Sequence, residues 1–160
     1  VARQWIEAAV DEDKARGHFL FTTDPTTGAL RQIGEAEDVP MLPVPENVGG
    51  RFSVLSPVGL LPAAVCGVDP RALLAGAADM VDRCRTDRLM ANPAGVLATL
   101  LHRADTVQGR SIHVLMPYSD RLRALSLWFQ QLWAESLGKA RTRSGGPVEG
   151  GPTPLPSIGA

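Results

Sequence analysis

Three helices announce their starts by a side chain that can accept a hydrogen bond directly before a proline: Ser56-Pro57, Asp69-Pro70 and Asn92-Pro93. Proline is tolerated at the first helical position, where its missing N–H has no intrahelical partner anyway, and a preceding Ser, Asp or Asn caps the N–H groups that follow. The spacing predicts helices over about residues 57–66, 70–90 and 93–107, with Pro62 kinking the first because it deletes one backbone donor. Around them lie apolar runs too short for helices: His18–Thr22 (HFLFT) after Gly17, Met41–Val44, and Ser111–Met116 (SIHVLM). Such runs read as buried strands. A helix over residues 1–15 precedes the first run, and a short one around Leu30–Glu37 follows the turn DPTTG. A long helix over Ser119–Leu137 follows the third, stopped by Gly138 in the left-handed conformation that helix ends commonly use. Helices alternating with short strands are the pattern of an α/β protein, with parallel sheets flanked by crossover helices.

Charge narrows the partners. Sixteen Lys and Arg against 17 Asp and Glu leave a net charge of -1, which gives no reason to expect nucleic acid or an anionic membrane as partner. Small anions remain open, because a few local cations suffice for them. No apolar run approaches the ~20 residues needed to span a bilayer, and VARQWIEAAVDEDK reads as an amphipathic helix rather than a signal peptide. A soluble, intracellular chain is expected. Cys66 and Cys84, without C-x-x-C spacing or clustered histidines, predict two small buried thiols and no metal site. The chain opens without methionine inside a predicted helix and closes in the Gly/Pro-rich SGGPVEGGPTPLPSIGA, which suggests a piece of a longer polypeptide.

Two stretches carry candidate chemistry. In WFQQLWAESLGK, residues 128–139, a single carboxylate, Glu135, sits among aromatics. At about 100° per residue, Leu122, Leu125, Trp128, Phe129, Leu132 and Trp133 share one broad arc, the expected buried face. Glu135 falls only ~20° from Trp128 around the helix, so it borders that arc, with Gln131 one turn earlier beside it. Partial burial by indole and the negative end of the helix dipole both disfavour the anion, an environment suited to a general base. A plain helix-end ion pair with Lys139 at i+4 fits the same spacing. In NVGGRFS, residues 47–53, Gly49 and Gly50 can take positive φ and leave no Cβ in the way. Backbone could then approach a ligand there while Arg51 reaches it from a fixed base. A turn with a solvated arginine would look the same.

Taken together, NVGGRFSVLSPVGLLPAAVCGVD, MPYSDRLRALSLWFQQLWAESLGK and GPTPLPSIGA resemble, in order and separation, segments of the phosphoglucose isomerase family, most nearly its bacterial form. The resemblance spans most of the chain from Val39 onward and implies interconversion of glucose 6-phosphate and fructose 6-phosphate in glycolysis and gluconeogenesis. By that likeness Glu135 is the catalytic base, moving a proton between C2 and C1 of the open-chain sugar through a cis-enediol. Arg51 stabilises the negative charge that develops, Gln131 contacts substrate, and Gly49 and Gly50 line the pocket. The family needs no metal or organic cofactor, acts as a homodimer and is cytoplasmic. Its fold is a pair of three-layer sugar-isomerase (SIS) domains. Residues 1–68 would be the later part of the first, and residues 69–160 linking helices and the early part of the second, incomplete at both ends. The family's phosphate-gripping loop is expected before residue 1, and its ring-opening histidine and a far C-terminal lysine beyond Ala160. None of His18, His102 or His113 takes the histidine's place, and core or surface roles are expected for them. A chain so cut should lack useful isomerase activity alone. Other readings are a non-catalytic sugar-phosphate sensor of the same fold, or an isomerase fused to another carbohydrate enzyme such as a transaldolase.

Overall fold

Two pairs of parallel strands, each joined by a helix, organise the chain in the computed structural model, which describes residues 1–148 and 150–159, the side chains of residues 12 and 13 excepted. The chain divides into two compact units, Val1–Ala75 and Gly76–Ala160. In the first, α1 (Ala2–Ala9) and α2 (Glu12–Ala15) lead to β1 (Phe21–Thr23), α3 (Ala29–Glu37) and β2 (Met41–Pro43). A 3-10 helix, Gly50–Leu55, and α4 (Pro57–Val65) follow, then α5 (Pro70–Cys84), which crosses the division. The second unit continues with α6 (Pro93–Thr106), β3 (Ile112–Leu115), α7 (Arg123–Leu137) and β4 (Thr153–Pro156). β1 pairs with β2, Phe21 opposite Met41, and β3 with β4, Ile112 opposite Thr153; both pairings are parallel. Parallel neighbours need a crossover, and α3 and α7 supply it.

All three proline-marked starts form as the sequence reads. Ser56 Oγ accepts from the Val58 N–H at 3.3 Å, the Asp69 carboxylate from the Arg71 N–H at 2.8 Å, and Asn92 Oδ1 from the Gly95 N–H at 2.9 Å. Helix ends depart from expectation. α5 stops at Cys84 rather than near residue 90, because Asn92 Nδ2 donates to the carbonyls of Cys84 and Thr86 at 3.0 and 3.1 Å. One side chain thus opens α6 and closes the segment before it. The helix expected over residues 1–15 breaks at Val10, which is extended (φ -135, ψ 161), and restarts after Asp11. Arg16–His18 then forms a 3-10 turn, so the first strand begins at Phe21 rather than His18. Gly138 ends α7 at φ -74, not left-handed. Its glycine is required by close approach instead: a Cβ there would lie 2.5 Å from the Ala134 carbonyl oxygen.

β4 was not expected, because TPLP holds two prolines. The Thr153 N–H donates to the Ser111 carbonyl at 2.7 Å and the Ser157 N–H to that of Leu115 at 3.2 Å. Pro154 and Pro156 fall on the alternate positions, whose N–H would face away from β3. Proline is tolerated in a strand on such an outward edge. The inner face of α7 also differs from the expected arc. Leu122, Leu125 and Trp128 are 47%, 42% and 39% exposed, whereas Ser126 is buried and Phe129, Leu132, Trp133 and Ser136 are half-buried. Ser126 satisfies its own hydroxyl by donating to the Arg123 carbonyl at 2.8 Å, and being small it lets α7 lie close on β4. Nor are the thiols buried: Cys66, just past the end of α4, is exposed and Cys84 is half-buried. No helix among the described residues is long and apolar enough to cross a membrane.

Candidate active site

The segment from Gly49 to Ser56 is fixed by its own polar groups. Gly49 is extended (φ -67, ψ 154), and the 3-10 helix from Gly50 carries Arg51 on its first turn. Ser53 Oγ donates to the Gly50 carbonyl at 2.8 Å and Ser56 Oγ to that of Ser53 at 2.6 Å, which holds the turn against α4. Gly59 of α4 makes the seating possible, since a Cβ there would run into the Val54 carbonyl. Neither Gly49 nor Gly50 has positive φ, contrary to expectation. Apart from its chain neighbours and the backbone of its own turn, nothing described lies within 4 Å of where a Cβ on Gly50 would be, so the backbone stays open on that side. Arg51 is half-buried, its guanidinium carbon 5.8 Å from the centroid of the Phe52 ring, within cation–π reach.

At the end of α7, Gln131 Nε2 donates to Glu135 Oε1 at 3.1 Å, as an i, i+4 spacing allows. Both residues are exposed. The partial burial of Glu135 under indole expected from the sequence is therefore not seen, because α7 turns its covered stripe elsewhere. Lys139 donates to the backbone carbonyl of Glu135 at 2.6 Å, where a cation satisfies an orphan carbonyl of the helix end. α7 is in turn held to β3 by Trp133, whose indole N–H donates to His113 Nδ1 at 3.0 Å. Sequence reasoning missed this bond. Its only trace was a histidine inside the apolar run SIHVLM.

Of the five candidate residues, Gln131 and Glu135 are brought into direct contact, and Gly49, Gly50 and Arg51 are contiguous. The two groups belong to different compact units. Of the histidines, His113 is buried in β3, while His18 and His102 are exposed.

Residues 1–155 match the family described as phosphoglucose isomerase. The chain belongs to that family. It is 47% identical over 142 residues to a glucose-6-phosphate isomerase from Carboxydothermus hydrogenoformans, covering 89% of this chain and 30% of that protein. It is 50% identical over 139 residues to one from Rubrobacter xylanophilus, covering 87% and 32%. The chain thus spans about a third of the length of these curated relatives. A crystal structure from Thermus thermophilus, described as a hypothetical protein, superposes with a TM-score of 0.87 at 43% identity, covering 98% of this chain and 36% of that one. A glucose-6-phosphate isomerase from Chlamydia trachomatis superposes at 0.80 with 23% identity, a likeness of fold.

Proposed function

We propose that this chain carries the proton-transfer groups of a glucose-6-phosphate isomerase. The observation that carries the reading is the hydrogen bond from Gln131 to Glu135 at the end of α7, within the family match. The bond from a neutral amide orients the carboxylate without adding a charge beside it, and Lys139 meets the backbone carbonyl of the same residue.

Glu135 takes the proton from C2 of the open-chain aldose, the electron pair moves into a C1–C2 double bond, and the proton returns at C1 to give the ketose. The hydroxyl proton shifts from O2 to O1, so the reaction is an isomerisation with no external oxidant. Negative charge gathers on the sugar oxygens as the enediol forms, and Arg51 lowers that cost as a fixed cation. The open backbone at Gly50 gives the sugar room, Gly49 lines the pocket beside it, and Gln131 orients the base and the substrate hydroxyls. No step requires a metal or organic cofactor.

The same reading makes residues 1–68 the later part of one sugar-isomerase domain and residues 69–160 linking helices and the start of a second. The parent is a cytoplasmic homodimer acting on a sugar phosphate, with no nucleic-acid or membrane partner. The names of the relatives favour an enzyme over a non-catalytic sugar-phosphate sensor. Phosphate gripping and ring opening are assigned to segments outside this sequence, so a coupled assay on the 160-residue chain is expected to show no useful turnover. Glu135→Gln, in a complete isomerase polypeptide carrying this segment, should lower kcat by about a thousandfold while sugar-phosphate binding persists. Unchanged turnover would remove the assignment.

A further inference from the structure

We propose that His113 is a positioning residue, which fixes the rotation of α7 through Trp133 and so sets where the Glu135 carboxylate points. The inference rests on Glu135 being the base.

His113 is 7% exposed and held in β3 opposite Pro154 of β4. Its Nδ1 accepts from the Trp133 indole N–H at 3.0 Å, with ring centroids 6.1 Å apart and planes tilted by 58°. A ring nitrogen that accepts carries no proton, so the imidazole is the neutral form with its proton on Nε2. That nitrogen is buried with no hydrogen-bond partner among the described residues. An aliphatic side chain would fill the space without an orphaned donor. The orientation given to the indole is what the histidine adds.

Packing does not fix the indole by itself. One face stacks on Phe129, with centroids 5.0 Å apart, but a cavity of about 270 Å³ opens beside the ring, lined by Ala98, Leu101, His102 and Asp105 of α6 and by Leu137. Without the bond to Nδ1 the ring has space to swing, and α7 with it.

Helix geometry converts that freedom into displacement at the site. Gln131 and Glu135 each lie two residues from Trp133, roughly 200° around the helix, so both project from the side opposite the indole. A helix of about 5 to 6 Å outer radius that rolls by roughly 20° carries such a side chain about 2 Å sideways. Misplacement of about 1 Å at a reacting group can cost a hundredfold in rate. The bond also lies in the same unit as the base, and its donor, Trp133, is two residues from Glu135.

The test is kinetic, in a complete isomerase polypeptide carrying this segment. His113→Phe keeps a ring but no acceptor, and kcat should fall about tenfold with a smaller change in KM, because misplacement costs more at the reacting carbon than at the hydroxyls Gln131 meets. His113→Asn places a carbonyl oxygen near the position of Nδ1 and should restore most of kcat. The Trp133 indole N–H proton resonance should move upfield in the Phe variant and stay near its native position in the Asn variant. Should the Phe variant fail to fold, Trp133→Phe removes the donor and keeps an aromatic plane, and it should show the same fall in kcat. Wild-type kcat in a folded His113→Phe or Trp133→Phe enzyme overturns the proposal, as does equal loss in the Phe and Asn variants. Glu135→Gln measured alongside separates the two readings. If it loses turnover while His113→Phe does not, the base stands and the positioning role falls. If it retains turnover, both fall.

Discussion

In the first strand pair the crossover helix is seated by shape, and in the second by a hydrogen bond. Gly34 of α3 is buried against Met41 of β2, where an added Cβ would run into the sulfur. Trp133 of α7 instead donates to His113 of β3, and Ser126 supplies the close approach to β4. Shape excludes wrong distances but allows a helix to roll, whereas a directed bond between rigid rings resists rolling. The helix fixed in rotation is the one that carries Gln131 and Glu135.

Filling the first contact should be the largest perturbation of stability. Gly34→Leu places a side chain where the Met41 sulfur lies, and about 2 kcal/mol of stability should be lost, seen as a lower urea midpoint with unchanged slope. In the second unit Trp133→Phe should cost about 1 to 2 kcal/mol, because it leaves His113 Nδ1 buried without its donor. If Gly34→Leu proved neutral while Trp133→Phe cost more, the contrast between shape and bonding would be reversed. Asn92→Ala perturbs neither crossover, and loss of its cap should cost about 1 kcal/mol in the same measurement.

Acid should act on the first unit through Asp24, and this effect should be the smallest. Asp24, in the turn between β1 and α3, accepts from the backbone N–H groups of Thr26 and Thr27 at 2.9 and 2.8 Å, which hold its carboxyl below the usual range. A carboxyl whose folded pKa is depressed contributes stability that is complete above its unfolded value, near about 4, and is lost as pH falls through the folded one. Asp24→Asn should therefore flatten the acid limb of a pH titration of stability, and an unchanged limb would assign it to other groups.

What was legible in the sequence was local. Ser56, Asp69 and Asn92 announce helix starts because cap and helix are neighbours in the chain, and Gln131 with Glu135 follows from one helical turn. β4 was hidden because composition counts Pro154 and Pro156 without showing that their missing donors face outward. The buried face of α7 was misjudged for a related reason. Periodicity sorts apolar residues onto an arc, but a two-stranded sheet covers only a narrow stripe, so Leu122, Leu125 and Trp128 stay exposed while Ser126 is covered. The His113–Trp133 bond joins residues 20 apart through a fold that no local pattern encodes. In the candidate site, the motifs single out Arg51 and Glu135 as candidates, whereas the negative φ of Gly49 could not be read from them, because glycine permits either sign.

Proton transfer by Glu135 is tested most directly with deuterium at C2 of glucose 6-phosphate, followed by NMR with a complete isomerase polypeptide carrying this segment and its Glu135→Gln variant. The native enzyme should move the label from C2 to C1 or to solvent as fructose 6-phosphate forms, while the variant binds the sugar phosphate and leaves the label at C2. Loss of label from C2 at the native rate in the variant would contradict the assignment of Glu135 as the base.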